Sequence, residues 1–196
     1  MVKPILVLYY SLHGSTRHLA HKIAQGIEMQ GGEAMIRTVA KISDGFTQQQ
    51  PAVPQSGDPY VTHEELANCS GLALGSPTRF GNMAGAMKYF WDSTVNHWVA
   101  GSLNGKPACV FTSTSSMHGG QESTLLSMML PLLHHGMVIS GLPYNEPQLH
   151  TTQTGGTPYG ASHVSLGKQS TALSQDEIAL CIAQGKRLAD LAKKLG

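Results

Sequence analysis

An apolar run that ends in a polar turn, with an amphipathic helix directly behind it, constrains this chain more than any other feature. The run at residues 5–10 (ILVLYY) has no polar alternation, which is typical of a strand covered on both faces in a parallel sheet. Behind the turn, apolar residues recur at helical spacing, so we predict a strand, a turn and a helix. The helical positions are Leu19, Ala20, Ile23, Ala24 and Ile27.

The turn itself, residues 11–16, is typical of a phosphate-binding site. The first backbone N–H groups of a helix lack internal partners and carry the positive end of the helix dipole, so an anion is stabilised there. Ser11, Ser15 and Thr16 add hydroxyl donors, and Gly14 lets the backbone approach a ligand closely. The spacing is neither that of a P-loop, which needs a Lys, nor that of a dinucleotide fingerprint. The same residues would also suit a helix start in which hydroxyls only cap backbone N–H groups.

Further strands and helices alternate along the rest of the chain, which implies right-handed crossovers and a parallel sheet. Residues 41–63 carry three prolines and little periodicity, and residues 141–170 centre on a glycine-rich segment, so we predict two long loops. The predicted strands are residues 5–10, 33–39, 72–74, 107–111 and 137–139. After the first helix, further helices are predicted at residues 62–68, at 84–91 with an extension towards 98, at 123–133, and from 174 onwards.

Three polar loops follow predicted strands, at residues 11–16, 75–83 and 112–122. The carboxyl ends of parallel strands lie at one edge of a sheet, and open α/β sheets bind ligands at that edge. We therefore predict an α/β fold in which a doubly wound, five-stranded parallel sheet has the flavodoxin-like order 2-1-3-4-5. One domain is expected to span residues 1–196.

Composition excludes several classes of function. The chain of 196 residues has a formal net charge of +1, which gives no electrostatic case for a nucleic acid or an acidic membrane as partner. No apolar run approaches the roughly 20 residues of a membrane span, and three separated cysteines without a CxxC motif favour a reducing cytoplasm. The histidines form no HExxH motif, so no metal site is predicted. No G-x-S-x-G elbow is present, which argues against a serine hydrolase.

Five segments carry specific motifs: YYS at residues 9–11, GSPTRFGNM at 75–83, GGQE at 119–122, HHGM at 134–137 and GGTPYG at 155–160. Together they resemble the WrbA family, which are FMN-dependent NAD(P)H:quinone oxidoreductases with a flavodoxin-like fold. The resemblance extends from Ile5 to the final helix. Two features depart from the family pattern: His13 stands where an aromatic phenol is common, and the loop at 115–118 is less glycine-rich and longer by one residue.

The resemblance implies FMN at the carboxyl edge of the sheet, with NADH or NADPH as hydride donor and a small-molecule quinone as acceptor. The flavin carries the redox chemistry, so no catalytic side chain is expected. The phosphate would lie in residues 11–16 and the flavin ring against residues 77–80 and 113–119, while His13 and Trp98 would line the nicotinamide and quinone side. The implied cofactor-binding residues are Ser11, Leu12, His13, Gly14, Ser15, Thr16, Pro77, Thr78, Arg79, Phe80, Asn82, Ser113, Thr114, Ser115, Ser116, Met117, His118, Gly119 and His134.

Two other functions compete with quinone reduction: a single-electron flavodoxin carrier and a flavin-binding scaffold. Carriers of the flavodoxin type are strongly acidic so that they dock basic partners, and a net charge of +1 does not fit them. The predicted helix at residues 123–133 is apolar around nearly its whole circumference, which indicates burial on all sides. With the family resemblance, this predicts a homo-oligomer, specifically a homotetramer in which a neighbour completes each active site.

Overall fold

The computed structural model describes residues 3–42, 54, 56–167 and 171–196, and places a parallel sheet between two layers of helices. The strands are β1 Ile5–Tyr9, β2 Ala34–Thr38, β3 Gly71–Pro77, β4 Pro107–Thr114, β5 Val138–Ile139 and β6 Ser162–Val164. The helices are α1 Ser15–Met29, α2 His63–Asn68, α3 Gly85–Asp92, α4 Val95–Val99, α5 Gln121–His134, α6 Gln148–Thr151 and α7 Gln175–Leu195.

The strands follow the order β2-β1-β3-β4-β5 and pair in parallel, which confirms the predicted topology. The fifth position of the sheet is shared by two short strands. Strand β5 pairs with the beginning of β4, at Pro107 and Ala108, while β6 pairs with its end, Thr112 to Thr114. The prediction of a continuous loop at residues 141–170 is therefore wrong where α6 and β6 form.

The unbroken apolar run of β1 is explained by helices on both faces of the sheet. Successive side chains of a strand point to opposite faces, so a strand covered on both faces needs apolar residues at every position. Helices α1 and α7 cover one face, and α3 and α5 cover the other. The first face buries Val7, Phe111, Ile23 and Leu188, and the second buries Leu6, Leu74, Met87 and Met128.

Helices α1 and α7 cross closely because each contributes a glycine to the crossing. A Cβ atom on Gly26 would lie 2.2 Å from the carbonyl oxygen of Ile182, and one on Gly185 would lie 2.1 Å from that of Ile23. Neither position has room for a side chain. This contact fixes α1 against α7 and so positions the start of α1 at the carboxyl edge of the sheet.

Helices α2 and α7 each begin with a capping box, in which Thr62 is paired to Glu65 and Ser174 to Glu177. The predicted continuation of the third helix towards residue 98 is interrupted at Ser93 and Thr94, where the backbone N–H groups bond to the carbonyl oxygens three residues earlier, of Phe90 and Trp91, at 3.0 and 3.1 Å. Helices α3 and α4 therefore form separately. Of the predicted loop at 41–63, residues 43–53 and 55 lie outside the described residues. No helix within the described ranges is long and apolar enough to cross a membrane.

Candidate functional site

A cleft of about 730 Å³ opens at the carboxyl edge of the sheet, above β1, β3 and β4. All three polar loops singled out from the sequence contribute to it. A fourth segment, which follows β6, closes its remaining side. The lining residues are Ser11, Leu12, His13, Ser15, Thr16, Pro77, Thr78, Arg79, Ser113, Thr114, Ser115, Ser165, Gly167 and Thr171.

The end of the cleft next to α1 has the geometry of an anion site. Gly14 precedes the helix with a φ of +102°, a left-handed conformation that favours glycine. The Ser11 hydroxyl oxygen accepts a hydrogen bond from the backbone N–H of Gly14 at 3.0 Å, which holds the turn. Within the described residues, no side chain caps the start of α1. The first N–H groups of the helix are thus available to a ligand, against the interpretation of a merely capped helix.

Thr16 and Ser113 form a buried pair of hydroxyls at this end. Their side-chain oxygens lie 2.9 Å apart, and the two residues are 1% and 7% exposed. The pair has two hydroxyl protons, and the mutual hydrogen bond uses only one. The second proton is available to an acceptor in the cleft. The same bond ties the first turn of α1 to the end of β4.

The second wall of the cleft is a tight hairpin at residues 79–82. Backbone hydrogen bonds join Arg79 and Asn82 in both directions, at 2.7 and 3.1 Å. Thr78 Oγ1 accepts from Thr124 Oγ1 at 2.9 Å and so fastens the hairpin to α5. At its tip, Phe80 is fully exposed and has a φ of +54°, a conformation that costs a non-glycine residue about 1–2 kcal/mol. An exposed aromatic ring on a strained backbone indicates a surface built for contact.

The third wall is the loop that leaves β4, and it is fastened to the segment after β6. The backbone N–H groups of Ser165 and Gly167 donate to the carbonyl oxygens of Thr114 and Ser115, at 3.0 and 2.8 Å. Thr171 joins the same wall, since its carbonyl oxygen lies 2.8 Å from His18 Nδ1 on α1. The sequence analysis missed Ser165, Gly167 and Thr171. Their only signal was their position after the glycine-rich motif at 155–160.

The structure brings together most of the site residues predicted from the sequence. Eleven of them line the cleft directly, and the others from the same loops lie beside it in the chain. These neighbouring residues are Gly14, Phe80, Asn82, Ser116, Met117, His118 and Gly119.

His134 and Trp98 are not at this cleft within one chain. They line a second pocket of about 370 Å³, where the indole Nε1 of Trp98 donates to the carbonyl oxygen of His134 at 2.9 Å. Helix α5 starts beside the cleft and ends at His134 after 14 residues, a length of roughly 20 Å. A single chain therefore separates these two residues from the other predicted site residues.

Polar atoms without partners border this second pocket. Trp91 Nε1 and His135 Nδ1 are buried and make no hydrogen bond among the described residues, while His135 Nε2 lies 3.0 Å from Thr94 Oγ1. Burial, followed by the proximity of His97 and His134, lowers the pKa of His135. The ring of His135 is therefore neutral at pH 7 and can accept or donate a hydrogen bond.

An exposed apolar surface adjoins the second pocket and is here named the α4–α5 face. Helix α5 buries Leu125, Met128 and Leu132 against the sheet but leaves its other side open. A contiguous surface of large apolar side chains on a soluble protein usually marks an interface. The α4–α5 face consists of Val95, Trp98, Val99, Leu126, Leu130 and Leu133, all between 45% and 73% exposed.

The sheet order and the cleft at its carboxyl edge define a flavodoxin-like protein with an anion site at a helix start. Residues 4–147 match the model of the NADPH-dependent FMN reductase family, and the chain belongs to this family.

Comparisons with individual proteins agree with this family assignment. The chain is 44% identical to the NAD(P)H dehydrogenase (quinone) of Geotalea daltonii, in an alignment that covers 97% of both proteins. It is 42% identical to the NAD(P)H dehydrogenase (quinone) of Geobacter sulfurreducens, in an alignment that covers 97% of this chain and 98% of that relative. The structure is similar to a flavodoxin, WrbA-like protein from Agrobacterium tumefaciens, with a TM-score of 0.71, 19% identity and 99% of both chains covered. Together with the family match, these likenesses confirm the resemblance to the WrbA family and the predicted fold.

Proposed function

We propose that this protein is an FMN-dependent NAD(P)H:quinone oxidoreductase that reduces quinones to hydroquinones by two electrons. The observation that carries the proposal is the cleft, which combines an uncapped helix start and an available hydroxyl proton with walls formed by the loops after β3 and β4. The family match and the names of the relatives support the same cofactor and reaction. A strongly acidic surface for docking redox proteins is not expected at a net charge of +1.

The cleft fits FMN in size and chemistry. Its volume of about 730 Å³ falls within the range of small-molecule sites. The backbone N–H groups at the start of α1, with Ser15 and Thr16, suit a phosphate monoester. Pro77, Thr78 and the loop after Ser113 suit the flat face of a flavin ring.

Bound flavin supplies hydride acceptance from a nicotinamide and hydride donation to a quinone. The chain's own residues bind the flavin and orient it. Residues 11–16 would hold the phosphate of FMN, and Thr78, fastened to α5 by Thr124, would keep one wall of the cleft rigid beside the flavin ring. Arg79 uses Nη1 to donate to the carbonyl oxygen of Thr78 at 2.7 Å, which places a guanidinium beside the cleft where it favours negative charge.

The two substrates are proposed to use one confined site in turn, which gives ping-pong kinetics. The test is the absorbance spectrum of the purified protein under anaerobic conditions, first with NADH or NADPH and then with benzoquinone. We expect a flavin spectrum that bleaches and then recovers, and parallel lines in double-reciprocal plots. Intersecting lines would contradict the shared site. Bleaching without turnover of quinone would favour an electron carrier or a scaffold.

We further propose a homotetramer in which Trp98 and His134 of a neighbouring protomer complete each cleft. Three observations support it: the open α4–α5 face, the second pocket with unpartnered polar atoms, and the exposed ring of Phe80 beside the cleft. An assembly with closed symmetry would bury the α4–α5 face, the second pocket and the ring of Phe80 together. The apolar ring of Phe80 is of a kind that inserts into pockets at interfaces.

A cytoplasmic location is proposed as well. The cysteines Cys69, Cys109 and Cys181 are free and buried. Burial raises the pKa of the Cys109 thiol to about 12, and that of Cys69 also rises by burial. These thiols are therefore unreactive, and no disulfide contributes to the fold.

Replacing Thr16 with Val is expected to weaken FMN binding about ten- to a hundredfold, because it removes a hydroxyl that donates to a charged acceptor or holds Ser113 in place to do so. Quenching of FMN fluorescence during titration of the flavin-free protein measures this. The matched control is Thr151→Val, at an exposed position on α6. An unchanged FMN dissociation constant for Thr16→Val would contradict the placement of the phosphate in residues 11–16.

Replacing His13 with Ala is expected to raise KM for NADH or NADPH about two- to tenfold while kcat changes little, since His13 lies exposed at the mouth of the cleft. Flavin content after purification should stay at the wild-type level. Steady-state kinetics with His150→Ala as the control measures the change. Loss of bound flavin would instead assign His13 to the phosphate site.

A further inference from the structure

The outer side of the anion site is formed by Thr171, a residue from a distant part of the chain. Thr171 follows β6 and precedes α7, yet it lines the cleft together with Ser15 and Thr16 of the first turn of α1. Its methyl carbon Cγ2 is 3.6 Å from the position that a Cβ atom on Gly14 would take. The side chain of Thr171 therefore lies over Gly14, the residue at which α1 begins.

A hydrogen bond from His18 holds Thr171 in this place. His18 is exposed on α1, and its Nδ1 lies 2.8 Å from the carbonyl oxygen of Thr171. A carbonyl oxygen can only accept, so Nδ1 carries a proton and donates it. A neutral imidazole can supply this proton, so the hydrogen bond needs no charge on the ring.

The two contacts of Thr171 fall on one face of the first turn of α1. The backbone N–H of His18 donates to the carbonyl oxygen of Gly14 at 3.0 Å. Residues related by such a bond are about one turn apart and lie on the same face of a helix. Thr171 thus spans this turn lengthwise, with its side chain over Gly14 and its carbonyl oxygen bonded to the ring of His18.

The chain on either side of Thr171 is fixed by contacts that do not involve His18. On one side, Ser165 and Gly167 are hydrogen-bonded to the loop after β4. On the other side, Leu173 packs against the core between the sheet and helices α1 and α7. A change at His18 can therefore displace Thr171 without releasing the whole wall of the cleft.

We propose that Thr171, held by His18, closes the outer side of the anion site and slows the release of a phosphorylated flavin. The inference rests on the proposed function, because it takes the cleft to bind FMN with its phosphate at the start of α1. A side chain over this site keeps water from the hydrogen bonds between the phosphate and the helix N–H groups, and such bonds are stronger where water is excluded. His18 is a positioning residue that acts on the cofactor through Thr171.

The test compares the rates at which the full-length protein releases FMN and riboflavin, which has the same ring without the phosphate. Flavin-loaded protein is diluted rapidly, and the return of flavin fluorescence gives the dissociation rate constant. His18→Ala removes the hydrogen bond to Thr171, so we expect FMN to leave about two- to tenfold faster, and riboflavin to stay within twofold of its wild-type rate. In His18→Asn the amide nitrogen takes the place of Nδ1 as donor, so FMN release should stay within twofold of the wild type.

His21→Ala is the matched control, because His21 is also an exposed histidine of α1 but its Nε2 contacts Asp58 Oδ2, at 3.0 Å. Unchanged FMN release from His18→Ala would overturn the role of His18, and so would release from His18→Asn that is as fast as from His18→Ala. Equal acceleration of FMN and riboflavin, or of FMN from His18→Ala and His21→Ala, would also overturn it, because the effect would then not be specific to the anion site. Equal affinity of the wild type for FMN and riboflavin would be a different failure, because it would remove the phosphate site of the proposed function itself.

Discussion

Replacing Glu177 with Ala is expected to lower the free energy of unfolding by about 3–5 kcal/mol, because it leaves several hydrogen-bond donors without their acceptor and each buried one costs about 1–3 kcal/mol. The substitution leaves His163 without its carboxylate and leaves the backbone N–H groups of Gly155, Val164 and Ser174 without their acceptor. The groups of Gly155, His163 and Val164 are buried, so solvent cannot easily replace their lost hydrogen bonds.

Urea denaturation of the flavin-free protein, followed by far-ultraviolet circular dichroism, measures this loss. Asp176→Ala is the matched control, since Asp176 is the other acidic residue in the first turn of α7. Removing its carboxylate should cost only the favourable interaction with the helix dipole, about 0.3–1 kcal/mol. Equal midpoints for the two variants would show that Glu177 acts only as a helix cap.

Replacing Leu130 with Glu is expected to dissociate the assembly and to lower kcat/KM for quinone reduction about ten- to a hundredfold. Leu130 is 59% exposed in one chain and would be buried between protomers, where an unpaired carboxylate is strongly destabilising. The dissociated chain keeps its phosphate site but lacks Trp98 and His134 of a neighbour. Loss of groups that position substrates typically costs this much in rate.

Light scattering across micromolar concentrations and steady-state kinetics test the two halves of this expectation. Leu195→Glu, at an exposed position on α7, is the control and should behave as the wild type. FMN affinity should remain within twofold in both variants. A wild-type protein that is monomeric throughout would contradict the assembly, and a monomeric Leu130→Glu with full turnover would contradict completion of the site by a neighbour.

The sheet could be predicted from the sequence because each long strand contains an unbroken apolar run that leads into polar residues at its carboxyl end. Strands β1, β3 and β4 fit that pattern. Strand β6 could not be predicted, since Ser162 and His163 are polar residues buried by hydrogen bonds and not by apolar packing. Ser165, Gly167 and Thr171 reach the cleft only because β6 lies beside β4, a pairing that no local pattern reveals.

The two ends of the candidate site differ in how well the sequence could place them. The anion site is local, since Ser11, Gly14 and Thr16 lie in one turn whose geometry follows from the strand and helix around it. Trp98 and His134 entered through the family resemblance alone. The structure separates them from the cleft within one chain, and their role depends on contacts between protomers. Those contacts stay a prediction.

The shared fifth position of the sheet also sets an order of events during synthesis. The anion site at the start of α1 and strand β4 are made before residues 115–161, which separate β4 from β6 in the chain. The wall formed by Ser165, Gly167 and Thr171 can dock only after that whole stretch has left the ribosome. A nascent chain thus presents an open half-site, and retention of a cofactor becomes a property of the nearly finished polypeptide.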